Sequence, residues 1–447
     1  MRSTFGGGSP AAASGGREIA VVGSGIAGLM AAYVLSRTDH VTLYEKDHRL
    51  GGHAHTHEVE VAPGRRVRVD SGFLVHNDRT YPTLLRLFEE LEVETRDTDM
   101  SMSVRADATG LEYAGAKGLS GLFPSARTAT TPRYLRMLTE VRRFHRTARD
   151  LLRHPDTDLT LAEFLRRHRF SAYFTEYFIT PLVAAVWSCD PKLAREYPAH
   201  YLFRFLDHHG MLTVFGSPTW RTVVGGSARY VDKVAERIGE IRTGTTVRAI
   251  IERPDGVLLT ETAGARRFDA AVIATHPDQA LALLAAPSPA MLSVLNAMPY
   301  SVNQAQLHTD ESLLPRARKA RASWNYLIPA GIRDAAGVVV TYDLTRLMGL
   351  DQVGDHRFLV TLGGAHLVDR RRVIAEMTYE HPIYTPGSVA AQGRLPELDT
   401  DRIAFAGAYH GWGFHEDGAL SGLRAAERLG GRWLQPAGAA LSRSAAL

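Results

Sequence analysis

Residues 19–52 leave few folds open. Ile19-Ala-Val-Val22 is a short apolar run suited to a buried parallel strand, and it leads straight into Gly23-Ser24-Gly25-Ile26-Ala27-Gly28, the GxGxxG spacing. Ile26, Leu29, Met30, Tyr33 and Val34 then recur at helical spacing, which predicts a helix over 26–37, and Val41-Thr-Leu-Tyr44 predicts a second strand closed by Glu45. Strand, glycine turn, helix, strand and acid together specify a dinucleotide site. Gly23 permits the tight turn, Gly25 lets the backbone approach a pyrophosphate, and Gly28 allows close packing of helix on strand. The phosphates are expected at the positive end of the helix dipole, beside Ile26 and Ala27. Glu45, twenty residues after Gly25, is placed to accept ribose hydroxyls, with Lys46 beside it. Its charge would repel a 2′-phosphate, so NADP is not expected.

The chain has 447 residues, more than one hydrophobic core usually serves, so two domains woven from one polypeptide are expected. Hydrophobic residues at 45% and charged ones at 22% exclude a mostly disordered chain. A formal charge of +4 gives no reason to expect nucleic acid as a partner. The single cysteine, Cys189, excludes an intramolecular disulfide framework, fits a reducing cytoplasm and is expected to be a small buried hydrophobe. Residues 1–16 and 436–447 read as flexible tails, and no apolar run reaches the 18 residues a membrane span needs.

Beyond Glu45 comes Leu50-Gly51-Gly52-His53-Ala54-His55-Thr56, and here the chain resembles the flavin-containing amine oxidase and phytoene desaturase superfamily. A second likeness lies at Ile403-Ala-Phe-Ala-Gly407-Ala-Tyr-His-Gly-Trp-Gly-Phe-His-Glu-Asp-Gly418-Ala419-Leu-Ser-Gly422, which resembles the C-terminal flavin motif of that superfamily. Between them Val224-Gly225-Gly226-Ser227, Thr246-Val247 and Ala271-Val-Ile-Ala-Thr275 resemble its middle portion. The resemblance implies FAD, attached covalently or not. The adenine would be held by the backbone of Val247, the pyrophosphate and ribityl chain would run past Gly51, Gly52, His53 and Thr56, and a strand would end at Gly407. A helix starting near Gly418 would point its N–H groups at the flavin, with Gly418, Ala419 and Gly422 small enough for close approach. The fold class implied is α/β: a discontinuous Rossmann-type FAD-binding domain at 17–80, 221–285 and 395–435, with an inserted α+β substrate domain at 81–220 and 286–394.

The stretches Asp70-Ser-Gly-Phe-Leu-Val-His76-Asn77, Thr98-Asp-Met-Ser-Met-Ser103, Ala322-Ser-Trp-Asn-Tyr326 and Tyr409-His-Gly-Trp-Gly-Phe-His415 narrow the likeness. They resemble a bacterial subfamily of predicted NAD/FAD-binding proteins whose genes often neighbour cyclopropane-fatty-acid synthase relatives. That association implies a fatty acyl substrate or a lipid-modifying methyltransferase as partner. Two positions depart from amine oxidases: Asn303 or Gln304 stands where they carry a Lys, and Tyr409 where they carry a Glu. The activity expected is hydride transfer from a lipid-like or acyl substrate to flavin N5. The alternatives are a flavin-dependent isomerase, an amine oxidase, or a non-catalytic accessory subunit.

In the loop facing the flavin, His410, Trp412, His415 and Glu416 are the catalytic candidates: Trp412 is expected to wall the pocket and His415 or Glu416 to move a proton, with His76 and Asn77 across the cleft. His53, His55 and His57 alternate as on one face of a strand, but their place beside the flavin loop makes a metal site unexpected. Residues 81–220 read as mainly helical. Over 133–153, Met137, Val141, Phe144, Ala148, Leu151 and Leu152 share one helix face and Arg142, Arg146, Arg149 and Arg153 another. That pattern fits a solvated helix or a basic patch at the inner face of a membrane. Tyr173–Trp187 reads as an aromatic helical region interrupted by Pro181, and Val338–Tyr342 and Arg357–Thr361 as strands of a second sheet.

Overall fold

The structure, a computed structural model, describes residues 16–154, 159–213, 216–331, 338–350 and 356–434. Apart from Gly16, the tails expected at 1–16 and 436–447 lie outside them. The strand Glu18–Val22 lies at the middle of a five-stranded sheet among the described residues. The order is Glu240–Arg242, His40–Tyr44, Glu18–Val22, Ala270–Ile273, Ile403–Phe405, and every pairing is parallel. Such strands are covered on both faces, which is why they read as unbroken apolar runs: Ile19, Ala20 and Val21 have no exposed surface. The helix expected over 26–37 is Ile26–Leu35, and the C-terminal helix His415–Arg428 packs along it. That second helix begins three residues before the expected Gly418, because Phe414 N–H is capped by the Asp417 carboxylate at 2.9 Å.

Chain segments far apart in sequence are tied by one buried carboxylate. Asp70 accepts from Ser227 N (2.9 Å), Ser227 Oγ (2.9 Å) and Thr56 Oγ1 (2.5 Å). Thr56 Oγ1 in turn accepts from Ala228 N at 2.9 Å. The Gly225-Gly226 turn, with φ +76° and +90°, brings Ser227 there.

A second, mixed sheet forms the other half of the molecule, in the order Val373–Pro382, Tyr300–His308, Leu359–Leu362, Val340–Asp343, Trp324–Ile328, Met102–Ala106, Leu111–Gly115. The last two strands fall in the stretch expected to be mainly helical. They form a hairpin across Asp107-Ala-Thr-Gly110, a turn that the short runs on either side hid. The remaining helices of that stretch cover the sheet. Pro132–Arg153 buries Tyr134, Met137, Phe144 and Ala148, while Arg142, Arg146, Arg149 and Arg153 are exposed, so its two faces divide as its periodicity predicts. Among the described residues no helix is long and apolar enough to cross a membrane.

Pro181 does not interrupt its helix as expected. Proline has no N–H for the Tyr177 carbonyl and its ring crowds that oxygen. The chain answers with a π-helical turn at Thr175–Ile179, and the freed Tyr177 carbonyl accepts from the Tyr113 hydroxyl at 2.7 Å. The helix Thr180–Trp187 continues beyond it and delivers Val186 and Trp187 to the interior.

Candidate active site

One large cavity of about 770 Å³ runs from the glycine turn to the second sheet. At one end it is lined by Gly23, Ser24, Gly25, Ile26, Ala27, Glu45, Lys46 and, across from them, Thr246 and Val247. Gly23 turns the chain at φ +100°. Gly28 is set back from the cavity, and a Cβ there would collide with the Gly23 carbonyl oxygen. Gly25 differs from both: its φ is −62°, and a Cβ there would meet no atom within 4 Å. Nothing within the protein calls for glycine at that position, so the space it leaves is a cradle open to the cavity. The Glu45 carboxylate accepts from Ser24 N (2.9 Å), Ser24 Oγ (2.6 Å) and Asp47 N (3.0 Å), which fixes the turn and still leaves lone pairs for hydroxyl donors. These features fit a dinucleotide.

Past the turn, Gly51 and Gly52 take φ of +103° and +56°, and Gly52 and His53 line the cavity, whereas Gly51 does not. The strand begins at Thr56, so His53 and His55 precede it and the three histidines do not share one strand face. His53 lies in the loop. Its ring lies 4.9 Å from Tyr379 and 5.2 Å from His381. Burial holds it well below the usual histidine range, so it is a neutral wall.

The other end of the cavity is an uncharged aromatic chamber. Met100, Val186, Trp187, Phe205, Met211, Trp220, Trp324, Tyr342, Leu362 and Phe414 form its walls, with Ser188 and His209 as polar groups. The charged residues lining the cavity, Glu45, Lys46, Asp47, Arg49 and Glu380, all lie outside this chamber toward the nucleotide end or the strand beside it.

The loop at 407–415 is clamped from outside. The Gly411 carbonyl accepts from Gln392 Nε2 (2.6 Å), Tyr201 Oη (2.7 Å) and Tyr384 Oη (2.9 Å). Gly413 then takes φ +90°, which turns Phe414 and Trp412 to different sides. Gly407, Gly413, Phe414 and His415 line the cavity, but Trp412, expected to wall it, faces a separate groove on the far side. His410 is also absent from the cavity wall; it packs on Tyr409 at 4.7 Å. His415 stacks on Phe73 at 3.7 Å, and its Nε2 lies 2.9 Å from the Tyr230 hydroxyl. Burial pushes its pKa down to about 3 and raises that of Tyr230, so the phenol donates and the imidazole is neutral. It is poorly suited to the proton-moving role expected of it, and it shapes the wall instead.

Glu416 is not in the cavity. Its two oxygens accept from Thr83 N (2.9 Å) and Leu84 N (3.0 Å), capping the helix Pro82–Glu90 from a distant part of the chain. Glu416→Ala should therefore lower stability by about 1–3 kcal/mol by stranding two helix donors. Thermal melts should show that loss while the bound-flavin spectrum is unchanged; a lost spectrum with an unchanged melt would put Glu416 back in the site. Gly418, Ala419 and Thr56 were expected at the cofactor and are likewise turned elsewhere. A Cβ on Gly418 would lie 2.7 Å from Ile26 Cγ2, and one on Gly422 would collide with the Ala27 carbonyl, so these small residues serve the contact between two helices. Cys189 is fully buried, and its thiol is pushed up to about 12.

Several cavity residues carried no signal in the sequence. Tyr379 Oη and Ser71 Oγ are 2.7 Å apart, both line the cavity, and Ser71 Oγ is 2.7 Å from Nε2 of half-buried His57. His276 Nδ1 meets Glu380 Oε2 at 2.7 Å and stacks on Tyr300 at 4.4 Å. Asn303 donates to Ser301 Oγ (3.1 Å) and pairs with His381 Nδ1 (3.0 Å) without lining the cavity, and Gln304 is exposed. Tyr379, Glu380 and His381 lie on the strand Val373–Pro382 of the second sheet, whereas His57 lies in, and Ser71 directly follows, the separate hairpin of Thr56–Ala62 and Arg65–Asp70, so these contacts join segments far apart in sequence.

The family model for flavin containing amine oxidoreductase matches residues 26–332. (S)-6-hydroxynicotine oxidase of Paenarthrobacter nicotinovorans is 26% identical over 250 residues, which is 54% of this chain and 55% of that protein, so the chain spans about half the length of that curated relative. Among solved structures, cyclohexylamine oxidase from Brevibacterium oxydans superposes with a TM-score of 0.67 at 17% identity, covering 93% of this chain and 98% of the other. A CLA-producing fatty acid isomerase from P. acnes gives a TM-score of 0.67 at 15% identity, covering 92% and 98%. At such identities the likeness is one of fold.

Proposed function

Since this chain belongs to the flavin containing amine oxidoreductase family, we propose that it is an FAD-dependent oxidoreductase whose substrate is apolar and uncharged where it reacts. The observation that carries this reading is the continuity of one cavity from the glycine turn into an aromatic chamber free of charged side chains. Burying an unpaired charge there would be costly, whereas an acyl or lipid-like chain gains from every wall. FAD, once bound, supplies a hydride acceptor at N5.

This chain's residues hold the dinucleotide through the Gly23–Gly28 turn, Glu45 and Val247, and pass it along Gly52 and His53. Trp187, Phe205, Phe414 and the Phe73–His415 stack exclude water from the chamber. The proton released from substrate has a route through Tyr379 Oη, which also lies 3.2 Å from His55 Nδ1, and Ser71 Oγ to His57 Nε2. Burial and then Arg49 hold half-buried His57 below its usual range, so it relays the proton and does not keep it. Burial keeps the Tyr379 phenol protonated, pushed up to about 12, so it passes the proton on and does not hold a charge.

Amine oxidation is a second reading, favoured by the aromatic chamber, since aromatic faces attract a cationic or polarised nitrogen. The relatives that act on hydroxynicotine and cyclohexylamine agree with it. The exposed arginines Arg142, Arg146, Arg149 and Arg153 support contact with an anionic membrane face. A methyltransferase partner has no observation of its own in its favour.

Anaerobic mixing of the FAD-loaded protein with a fatty acyl phospholipid and, separately, with cyclohexylamine is the test. Bleaching of the flavin by the first supports the proposal, bleaching by the second alone the amine reading, and an unchanged spectrum with both overturns it. Whichever substrate reduces the flavin, Tyr379→Phe is expected to slow that reduction by about 10²-fold, the usual scale for a lost proton-transfer group, with flavin content unchanged.

A further inference from the structure

We propose that the groove between the helices Pro132–Arg153 and Ala199–His208 is a second binding site, taking the phosphate or carboxylate group of an anionic ligand. It is a cavity of about 480 Å³ lined by Leu152, His200, Arg204, Asp207, His208 and Trp412, and it shares no lining residue with the large cavity. His200, Arg204 and His208 follow one another at four-residue spacing, so one helix face turns three nitrogen-bearing side chains toward the same space.

Arg204 is the centre of the site. It is exposed and, among the described residues, makes no hydrogen bond or ion pair, unlike most arginines of this chain. Asp207 is the one acid in the lining. Burial first, and then the charges of Arg79 and Arg204, hold His208 below its usual range; burial and Arg204 do the same for His200. With both imidazoles neutral, the positive charge of the groove is that of Arg204, and an anion beside it supplies the partner it lacks while the histidine N–H groups donate to the same ligand. The planar guanidinium suits two oxygens of one phosphate or carboxylate.

Trp412 gives the groove a flat apolar wall, its ring 5.5 Å from His208 and 5.9 Å from Phe205. Its Nε1–H is buried without an acceptor. Phe205 lines the aromatic chamber, so the groove and the chamber lie on two sides of one Trp412–Phe205 wall. A ligand in the groove therefore sits where it can act on the chamber, whatever reaction runs there.

The test is calorimetric titration of the full-length, FAD-loaded protein with inorganic phosphate, octanoate and octyl phosphate. Saturable one-to-one binding is expected for at least one of them. It should weaken at least tenfold in Arg204→Gln, recover in part in Arg204→Lys, and stay as it is in Arg142→Gln, which removes a surface charge from the neighbouring helix. Tighter binding of octyl phosphate than of phosphate would assign the site to an amphiphile, and equal binding to a free anion; both support the site. Failure of all three ligands to saturate overturns it, as does equal binding by the wild type and Arg204→Gln, or an equal loss in Arg142→Gln. None of these readings depends on flavin reduction, so the site and the proposed activity stand or fall separately.

Discussion

Gly28→Ala is expected to give a protein that neither holds flavin nor folds stably, while Gly25→Ala, three residues earlier, should fold normally and lose flavin alone. The added methyl at 28 would collide with the Gly23 carbonyl oxygen, which is backbone and cannot rotate aside. Relief requires the helix Ile26–Leu35 to lift from the strand Glu18–Val22, whose neighbours are packed without exposed surface. The same helix is pinned on its other side, where Gly422 lies against the Ala27 carbonyl, so a shift in either direction meets backbone. The cost should exceed the about 1–3 kcal/mol typical of an over-packed core. At 25 the backbone is already at φ −62°, which alanine adopts freely, and its Cβ would enter open space. That space is the cavity wall, so the methyl should lower FAD affinity at least about tenfold without moving the apo melting temperature. Absorbance of bound flavin and thermal melts of the two variants check both halves. If Gly25→Ala bound FAD as the wild type does, the pyrophosphate would not pass over this turn.

What the sequence made legible was local. The run Ile19–Val22, the glycines after it and the apolar spacing of 26–35 depend only on neighbours along the chain, and strand, turn and helix stand where those patterns place them. The arginine and apolar faces of 133–153 divide for the same reason. The candidate chemistry was less readable, because each wrong assignment turned on a partner far away in sequence. Glu416 caps a helix whose donors are Thr83 and Leu84. Gly418 is small because of Ile26, and Thr56 is spent on Asp70 and Ala228. Tyr379 gains meaning only from Ser71, 308 positions earlier. Trp412 and Phe414 stand two residues apart in a glycine-rich loop, and the positive φ of Gly413, together with the clamp on the Gly411 carbonyl, decides which of them reaches the cavity. A motif fixes the path of such a loop better than it fixes the direction of its side chains.

The same burial that neutralises the histidines makes the whole fold sensitive to acid, and the protein is expected to lose most of its stability between pH 6.5 and 4.5. Burial pushes the pKa of His381 and His410 down to about 4 and that of His415 to about 3, in each case as the leading cause. The unfolded chain regains the ordinary value of about 6.5. Below that pH the unfolded state binds protons that the folded state refuses, so stability present above pH 6.5 is lost as pH falls. At pH 5 each of these three groups withdraws about 2 kcal/mol, and His76 and His209, also pushed down to about 4, add to the loss. Two buried carboxyls act in the opposite sense. Burial raises Asp70 to about 6 and Asp417 to about 7, so their protonation favours the fold as pH drops, by a few kcal/mol together. They offset only part of the loss, and a domain's whole stability is about 5–15 kcal/mol. Urea unfolding followed by circular dichroism should show the midpoint falling steeply below pH 6.5, with about three or more protons taken up on unfolding near pH 5.5. In His410→Gln, away from the cavity, that uptake should drop by about one proton. A midpoint unchanged from pH 7 to 4.5 would mean that water reaches these imidazoles, and the cavity wall drawn from His415 and its neighbours would have to be redrawn as an open one.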